Sequence, residues 1–254
     1  MYLEKFRLDG QVALISGGLR GLGLAIAEAF GEAGAHLVLS SRTPNPAVLD
    51  ALRAKGYSVD YHQADLQEPG AAAELVRAAL AHNGRLDIQV NNAGIADHGA
   101  THEFSDERLQ ETMGINFDAV FRCCRAALVP MIAQQAGVIL NVGSVAGEVS
   151  LIPQPQAAYS ASKAAVHMLT RSLASDYAKD NIRVNALAPG YIETDMTKGG
   201  LADPEMAPVW KAMTPMSRPG RPEEIGLAAL YLCSAASSYV TGEVLGINGG
   251  YTTR

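Results

Sequence analysis

Cysteine is scarce in this chain: three in 254 residues, with Cys123 and Cys124 adjacent and Cys233 far downstream. That arrangement gives neither a disulfide framework nor the CxxC spacing of a zinc or redox site, and it suits a reducing compartment. A basic excess is also missing. Lys and Arg number 20 against 26 Asp and Glu, scattered without a basic block at a net charge of −6, which excludes the electrostatic footprint of a nucleic-acid or anionic-membrane partner. No stretch reaches about 18 uncharged apolar residues, and the opening MYLEKFRLDGQ carries charges where a signal peptide needs an apolar run. The expected location is the cytoplasm. The six histidines show no paired ligating spacing, so no metal chemistry is expected.

What the chain has in quantity is aliphatic residues: 48% hydrophobic content with only 6% aromatic, enough for one large core and one domain, 1–254. Short apolar runs at 11–16, 35–41, 57–63, 86–92, 137–144, 182–188 and 243–248 read as buried strands. Between them, stretches with helical spacing run over 24–33, 71–82, 109–134, 157–178 and 222–234. Repeated alternation of this kind predicts an α/β fold, a parallel sheet of about seven strands with helices on both faces. Residues 189–222, rich in Pro, Gly, Met and Thr, read as one long irregular substrate loop or lid after the sixth strand.

Gly17, Gly21 and Gly23 lie where the first strand turns into a helix. Missing side chains there let backbone N–H groups and a helix N-terminus approach a pyrophosphate. The spacing, G-xxx-G-x-G, points to a subset of dinucleotide folds. The second strand ends in Ser41 and Arg42, where an NAD-binding fold carries a carboxylate for the ribose 2′-hydroxyl. Arg42 can pair with a 2′-phosphate and lie along the adenine, and Arg20 can reach it from the glycine loop, so NADP(H) is favoured over NAD(H). Asn45 and Pro46 form an N-cap and first-turn pair for the next helix.

SGGLRGLG (16–23), NNAG (91–94), Asn116, Ser144, YSASK (159–163) and PGYIET (189–194) follow one another in the order and at about the spacing of the short-chain dehydrogenase/reductase family, and the resemblance covers nearly the whole chain. It implies a Rossmann-type doubly wound sheet, a nicotinamide cofactor, hydride transfer at a carbonyl or secondary alcohol, and a homotetramer through helices near 109–134 and 157–178. It also implies a catalytic set of Asn116, Ser144, Tyr159 and Lys163. Positions i and i+4 share a helix face, so Tyr159 and Lys163 project together, and the charge of Lys163 should lower the Tyr159 pKa for acid/base work. Ser144 should hydrogen-bond the substrate oxygen, Lys163 the nicotinamide ribose, and Asn116 a water linking Lys163 to solvent. By resemblance Asp65 accepts the adenine amino group, a helix N-cap being its rival role. Leu22, Leu66, Asn91, Ala93, Gly94, Pro189, Gly190, Ile192 and Thr194 line the rest of the cofactor path. The departures from the family pattern are Ser16 for Thr, Leu22 for Ile, a short segment from Arg42 to Gly56 with Pro44 and Pro46, and Asn248 where Asp is frequent.

For substrate contacts the chain offers Ser144, Gln154, Gln156, Tyr159 and Tyr191, with Glu148, His98 and Glu193 nearby. Met196, Trp210 and Met213 in the lid either touch substrate or fill its core. That polarity, and a C-terminal part resembling the branch that handles polyols, ketoses and sugar acids, favours a small polyhydroxy substrate. The alternative enzyme is a 3-oxoacyl thioester reductase, for which Lys198, Lys211, Arg218 and Arg221 could supply a basic entrance. A cofactor-sensing protein without turnover is a third reading, weakened by the complete catalytic set. A purely structural oligomer is weaker still.

Overall fold

The computed structural model describes residues 1–253, so Arg254, the last of the expected span 1–254, lies outside the described residues. Seven strands, β1 Val12–Ser16, β2 His36–Ser41, β3 Val59–Gln63, β4 Ile88–Asn91, β5 Gly137–Val142, β6 Ile182–Pro189 and β7 Val244–Ile247, pair in parallel in the order β3-β2-β1-β4-β5-β6-β7. Strand alternation divides the core between the two sheet faces. Val12 and Leu14 pack with Val38, Ile139 and Val184, whereas Ala13 and Ile15 pack with Leu37, Leu39, Leu140 and Leu187. Each fully buried Leu, Ile or Phe side chain contributes about 1.5–3 kcal/mol of apolar burial.

Helices α1 Gly21–Glu32, α2 Pro46–Ala54 and α3 Ala71–Asn83 follow the first three strands. Asn45 caps α2, its Oδ1 accepting from the Val48 N–H at 3.4 Å, with Pro46 in the first turn. The helical run expected over 109–134 is interrupted. It forms α4 Asp106–Met113, a π-helical segment at Gly114–Asp118, and α5 Ala119–Gln134. The segment shifts the register around Asn116, as π-bulges at functional positions do. α6 Ala157–Tyr177 carries Tyr159 and Lys163.

The region 189–222 is not irregular throughout. It contains α7 Lys198–Ala202 and α8 Met206–Met213, followed by α9 Pro222–Cys233. Both short helices fall below the length at which apolar periodicity is readable. Trp210 of α8 is buried, stacks on Tyr191 at 3.9 Å and packs against Gly200, so it helps to fill the core of this segment. The strand order reverses between β1 and β4, and this switch point leaves a crevice at the C-terminal ends of the strands.

Candidate active site

That crevice is a cleft of about 560 Å³, lined at one end by the glycine loop and the end of β2, and at the other by the ends of β5 and β6, α6 and the 189–222 segment. Gly17 and Gly21 have φ of +66° and +53°, conformations that L side chains rarely adopt. Gly23 does not line the cleft. A Cβ there would lie 2.2 Å from the Gly17 carbonyl oxygen, so this glycine lets α1 close against the loop. Ser16 pins the loop to β4: its hydroxyl donates to Val90 O at 3.3 Å and accepts from the N–H groups of Asn92 and Ala93.

The N-terminus of α1 fits an anion. Its N-cap, Arg20, supplies no side-chain hydrogen bond, and the first turn holds no acidic residue, so the helix end keeps N–H groups and positive dipole for a phosphate. Arg20, Leu22, Ser41, Arg42, Asp65 and Leu66 line this end. Asp65 is not the cap of α3, which is Gly70. Its Oδ1 accepts from the Gln67 N–H at 3.0 Å in a local turn. The donors, cations and glycine contours match a dinucleotide.

At the other end lie Ala93, Gly94, Ser144, Gln154, Gln156, Tyr159, Lys163, Pro189, Gly190, Tyr191, Ile192 and Thr194. Lys163 is buried and donates to Val142 O at 2.9 Å, and its Nζ lies 5.8 Å from the Tyr159 ring centroid. Burial pulls its ammonium down to about 8. The expectation that Lys163 lowers the Tyr159 pKa is not met. Burial pushes the phenol above its ordinary value, and only the hydrogen bond with Ser144 pulls it back. Desolvation sets the direction of both shifts, upward for the phenol and downward for the ammonium.

Asn91, expected along the cofactor path, and Asn116, expected to hold a water linking Lys163 to solvent, are both buried and lie outside the cleft lining. Asn91 faces the sheet interior, its Nδ2 donating to Asn141 Oδ1 at 2.8 Å. Asn92, which sequence reasoning passed over in the same motif, lines the cleft and donates to the Ser16 and Gly17 carbonyls. Asn116 Oδ1 accepts from the Ile95 N–H, and its Nδ2 donates to Ile95 O and Ser162 Oγ. It therefore clamps the Gly94–Ile95 backbone. Another overlooked residue is His167 of α6. Its Nε2 accepts the Ser144 N–H at 3.4 Å, and burial drops its pKa to about 4, which keeps it neutral.

Near Tyr159 the wall is polar. Gln154 and Gln156 are 5% and 6% exposed. Trp210 Nε1 donates to Gln154 Oε1 at 3.1 Å, and Gln154 Nε2 donates to the Tyr191 hydroxyl at 3.2 Å and to Gln156 Oε1 at 3.4 Å. The Gln156 Nε2 is buried with no partner. Met196 and Trp210 line the cleft. Met213 packs instead on the cluster around Val145 and Tyr251. The cysteines are buried, with burial raising the thiols of Cys123 and Cys233 to about 12, which leaves them unreactive. No helix among the described residues is long and apolar enough to cross a membrane.

The family model described as enoyl-(acyl carrier protein) reductase matches residues 17–252. Galactitol 2-dehydrogenase of Rhizobium johnstonii is 44% identical over 254 residues, covering 99% of this chain and 98% of that protein. A 3-oxoacyl-(acyl-carrier-protein) reductase of Chlamydia muridarum is 36% identical over 96% of this chain and 98% of its own length. The crystal structure of a gluconate 5-dehydrogenase from Burkholderia cenocepacia, in complex with NADP and tartrate, superposes with a TM-score of 0.93 at 36% identity and full coverage of both chains. The chain belongs to the short-chain dehydrogenase/reductase family and is an oxidoreductase acting on CH–OH groups.

Proposed function

We propose that the protein interconverts a polyol, or a sugar-type secondary alcohol, and the corresponding ketone, using NADP(H). The observation that carries this reading is the buried amide array of Gln154 and Gln156. A buried amide donor without a partner costs about 1–3 kcal/mol, and a substrate hydroxyl would satisfy the Gln156 Nε2. The amide's orientation is set by its neighbours: Trp210 Nε1 fixes Gln154 Oε1 as an acceptor, so Gln154 Nε2 faces Gln156 and needs its Oε1 there. The galactitol dehydrogenase and the tartrate-bound gluconate dehydrogenase, both acting on polyhydroxylated molecules by name, support the same substrate class.

When bound, the nicotinamide gives or takes the hydride. Tyr159 moves the proton at the substrate oxygen. Its raised pKa keeps it protonated at neutral pH, ready to reduce a ketone, and it becomes the base for oxidation as the pH rises. Ser144 Oγ accepts the Ala146 N–H at 3.1 Å, which orients its hydroxyl, and the proton it shares with Tyr159 in the free site would turn to a bound substrate oxygen. Lys163, held by Val142 O, has two further N–H groups for ribose hydroxyls. Asn116 acts through backbone placement, since its side chain is committed to Ile95 and Ser162. Arg20 and Arg42, together with a β2 end that lacks a carboxylate, support the 2′-phosphate of NADP(H). The bound NADP of the gluconate dehydrogenase agrees with this.

The family-model description and the 3-oxoacyl reductase relative favour a thioester substrate as the second reading. The basic entrance it needs is weak: Arg218 is paired with Glu224 at 2.7 Å, and Arg221 lies 3.7 Å from Glu223. Initial rates with NADPH and NADH against ketoses, keto sugar acids and an acetoacetyl thioester separate these readings. The expected result is turnover of the polyhydroxy ketones with NADPH preferred. Preference for the thioester would move the substrate class, and preference for NADH would overturn the reading of Arg20 and Arg42.

A further inference from the structure

At the opposite end of β2 from the cleft, three ligating side chains distant in sequence come together. His36 opens β2, Asp60 lies in the neighbouring strand β3, and His82 sits in the last turn of α3. One ligand atom from each lies within 4.8 Å of the others. His36 is 7% exposed. Its Nδ1 hydrogen-bonds Ser58 Oγ at 2.7 Å, and with that nitrogen as the donor, Nε2 carries the lone pair. Nε2 stands 3.2 Å from Asp60 Oδ2 with no hydrogen bond between them, so it is buried without a hydrogen-bonding partner.

The His36 and His82 rings stack 3.5 Å apart at 8°. Two neutral imidazoles tolerate this approach, whereas two protonated ones repel. The neutral imidazole is the form that binds metals. Arg53, the nearby cation in the same hollow, is drawn away onto Val59 O and Asp50.

We propose that His36, Asp60 and His82 form a binding site for a divalent transition ion of the zinc class. Two imidazoles and one carboxylate make a three-ligand set with a position left for water. The Ser58 hydroxyl would fix the His36 tautomer, the usual task of a group behind a metal-binding histidine. Closing the site takes a rotation of His82, because stacked rings cannot both point at one ion, and His82 is exposed and can turn. The ion would tie the edge strand β3 and the end of α3 to β2. Histidine spacing along the sequence sees only neighbours in the chain and could not show this grouping.

The test uses the full chain without a histidine tag, stripped with a chelator and dialysed against Zn²⁺, with bound metal measured by elemental analysis and Tm recorded with and without Zn²⁺. The expected result is about one ion per chain and a Zn²⁺-dependent rise in Tm, with affinity reduced by more than about tenfold in His82→Ala and Asp60→Asn. Both altered side chains are exposed, and unchanged turnover at the distant cleft would confirm that the variants fold. Failure of the wild type to retain zinc, or equal retention by the variants, would overturn the proposal.

Discussion

Lys163 is a cation buried at the wall of the cleft, and its stability cost is measurable. The unfolded chain titrates this group near 10.5 and the folded chain near 8. Between those values the unfolded state binds more protons, so stability rises with pH across the window. Below about 8 the fold carries the full penalty, on the order of 3 kcal/mol. In Lys163→Met that penalty is gone, although the Val142 carbonyl loses its donor. The Tm of the variant relative to wild type should therefore be highest near pH 7 and should fall as pH rises from about 8 towards 10.5. A difference that stays constant with pH would contradict the desolvated ammonium. At this scale the sequence identified Ser144, Tyr159 and Lys163, because the spacing of two side chains on one helix face is written in the residue order. It misjudged the direction of the Tyr159 shift and placed Asn91 rather than Asn92 in the cleft, since burial and strand register depend on residues far away in the chain.

Among the elements, the strands and long helices follow from apolar periodicity. The π-helical segment at Gly114–Asp118 does not, because a register shift confined to about one turn is too small to stand out in the apolar pattern. Nor do α7 and α8, which are too short. Close approach between elements also escapes the sequence, yet it can be tested at two glycines. A Cβ on Gly226 of α9 would lie 2.6 Å from the Ala25 carbonyl of α1. Gly226→Ala should cost about 1–3 kcal/mol of stability with KM for the cofactor unchanged, as read by denaturation and initial rates. Gly23→Ala, with contacts of 2.2 Å to Gly17 O and 2.5 Å to Asn92 Nδ2, should lose stability and cofactor affinity together. Equal effects from the two variants would contradict the separate roles given to these contacts.

For the molecule as a whole, a homotetramer is a proposal that rests on apolar side chains α5 and α6 leave exposed. Phe121 and Val129 of α5 are 43% and 71% exposed, and Met168 of α6 is 61% exposed. Large apolar side chains in contiguous exposed patches mark protein interfaces. We expect a homotetramer through these helices, as light scattering after gel filtration would show, and Phe121→Glu with Val129→Glu should dissociate it. A wild-type monomer would contradict this. Substrate choice also belongs to this scale, because the wall beside Tyr159 is assembled from chain segments near 154, 191 and 210, and the sequence could name its polar members but not their mutual hydrogen bonds.

The central claim, that the cleft performs hydride transfer with Tyr159 as its acid/base, is tested most directly by comparing wild type with Tyr159→Phe in two readouts. One is nicotinamide absorbance change with a polyol and NADP⁺, and the other is cofactor binding followed by fluorescence. The account predicts that turnover falls by about a hundredfold to ten-thousandfold while NADP⁺ affinity changes little. Turnover that survives the loss of the hydroxyl would contradict it.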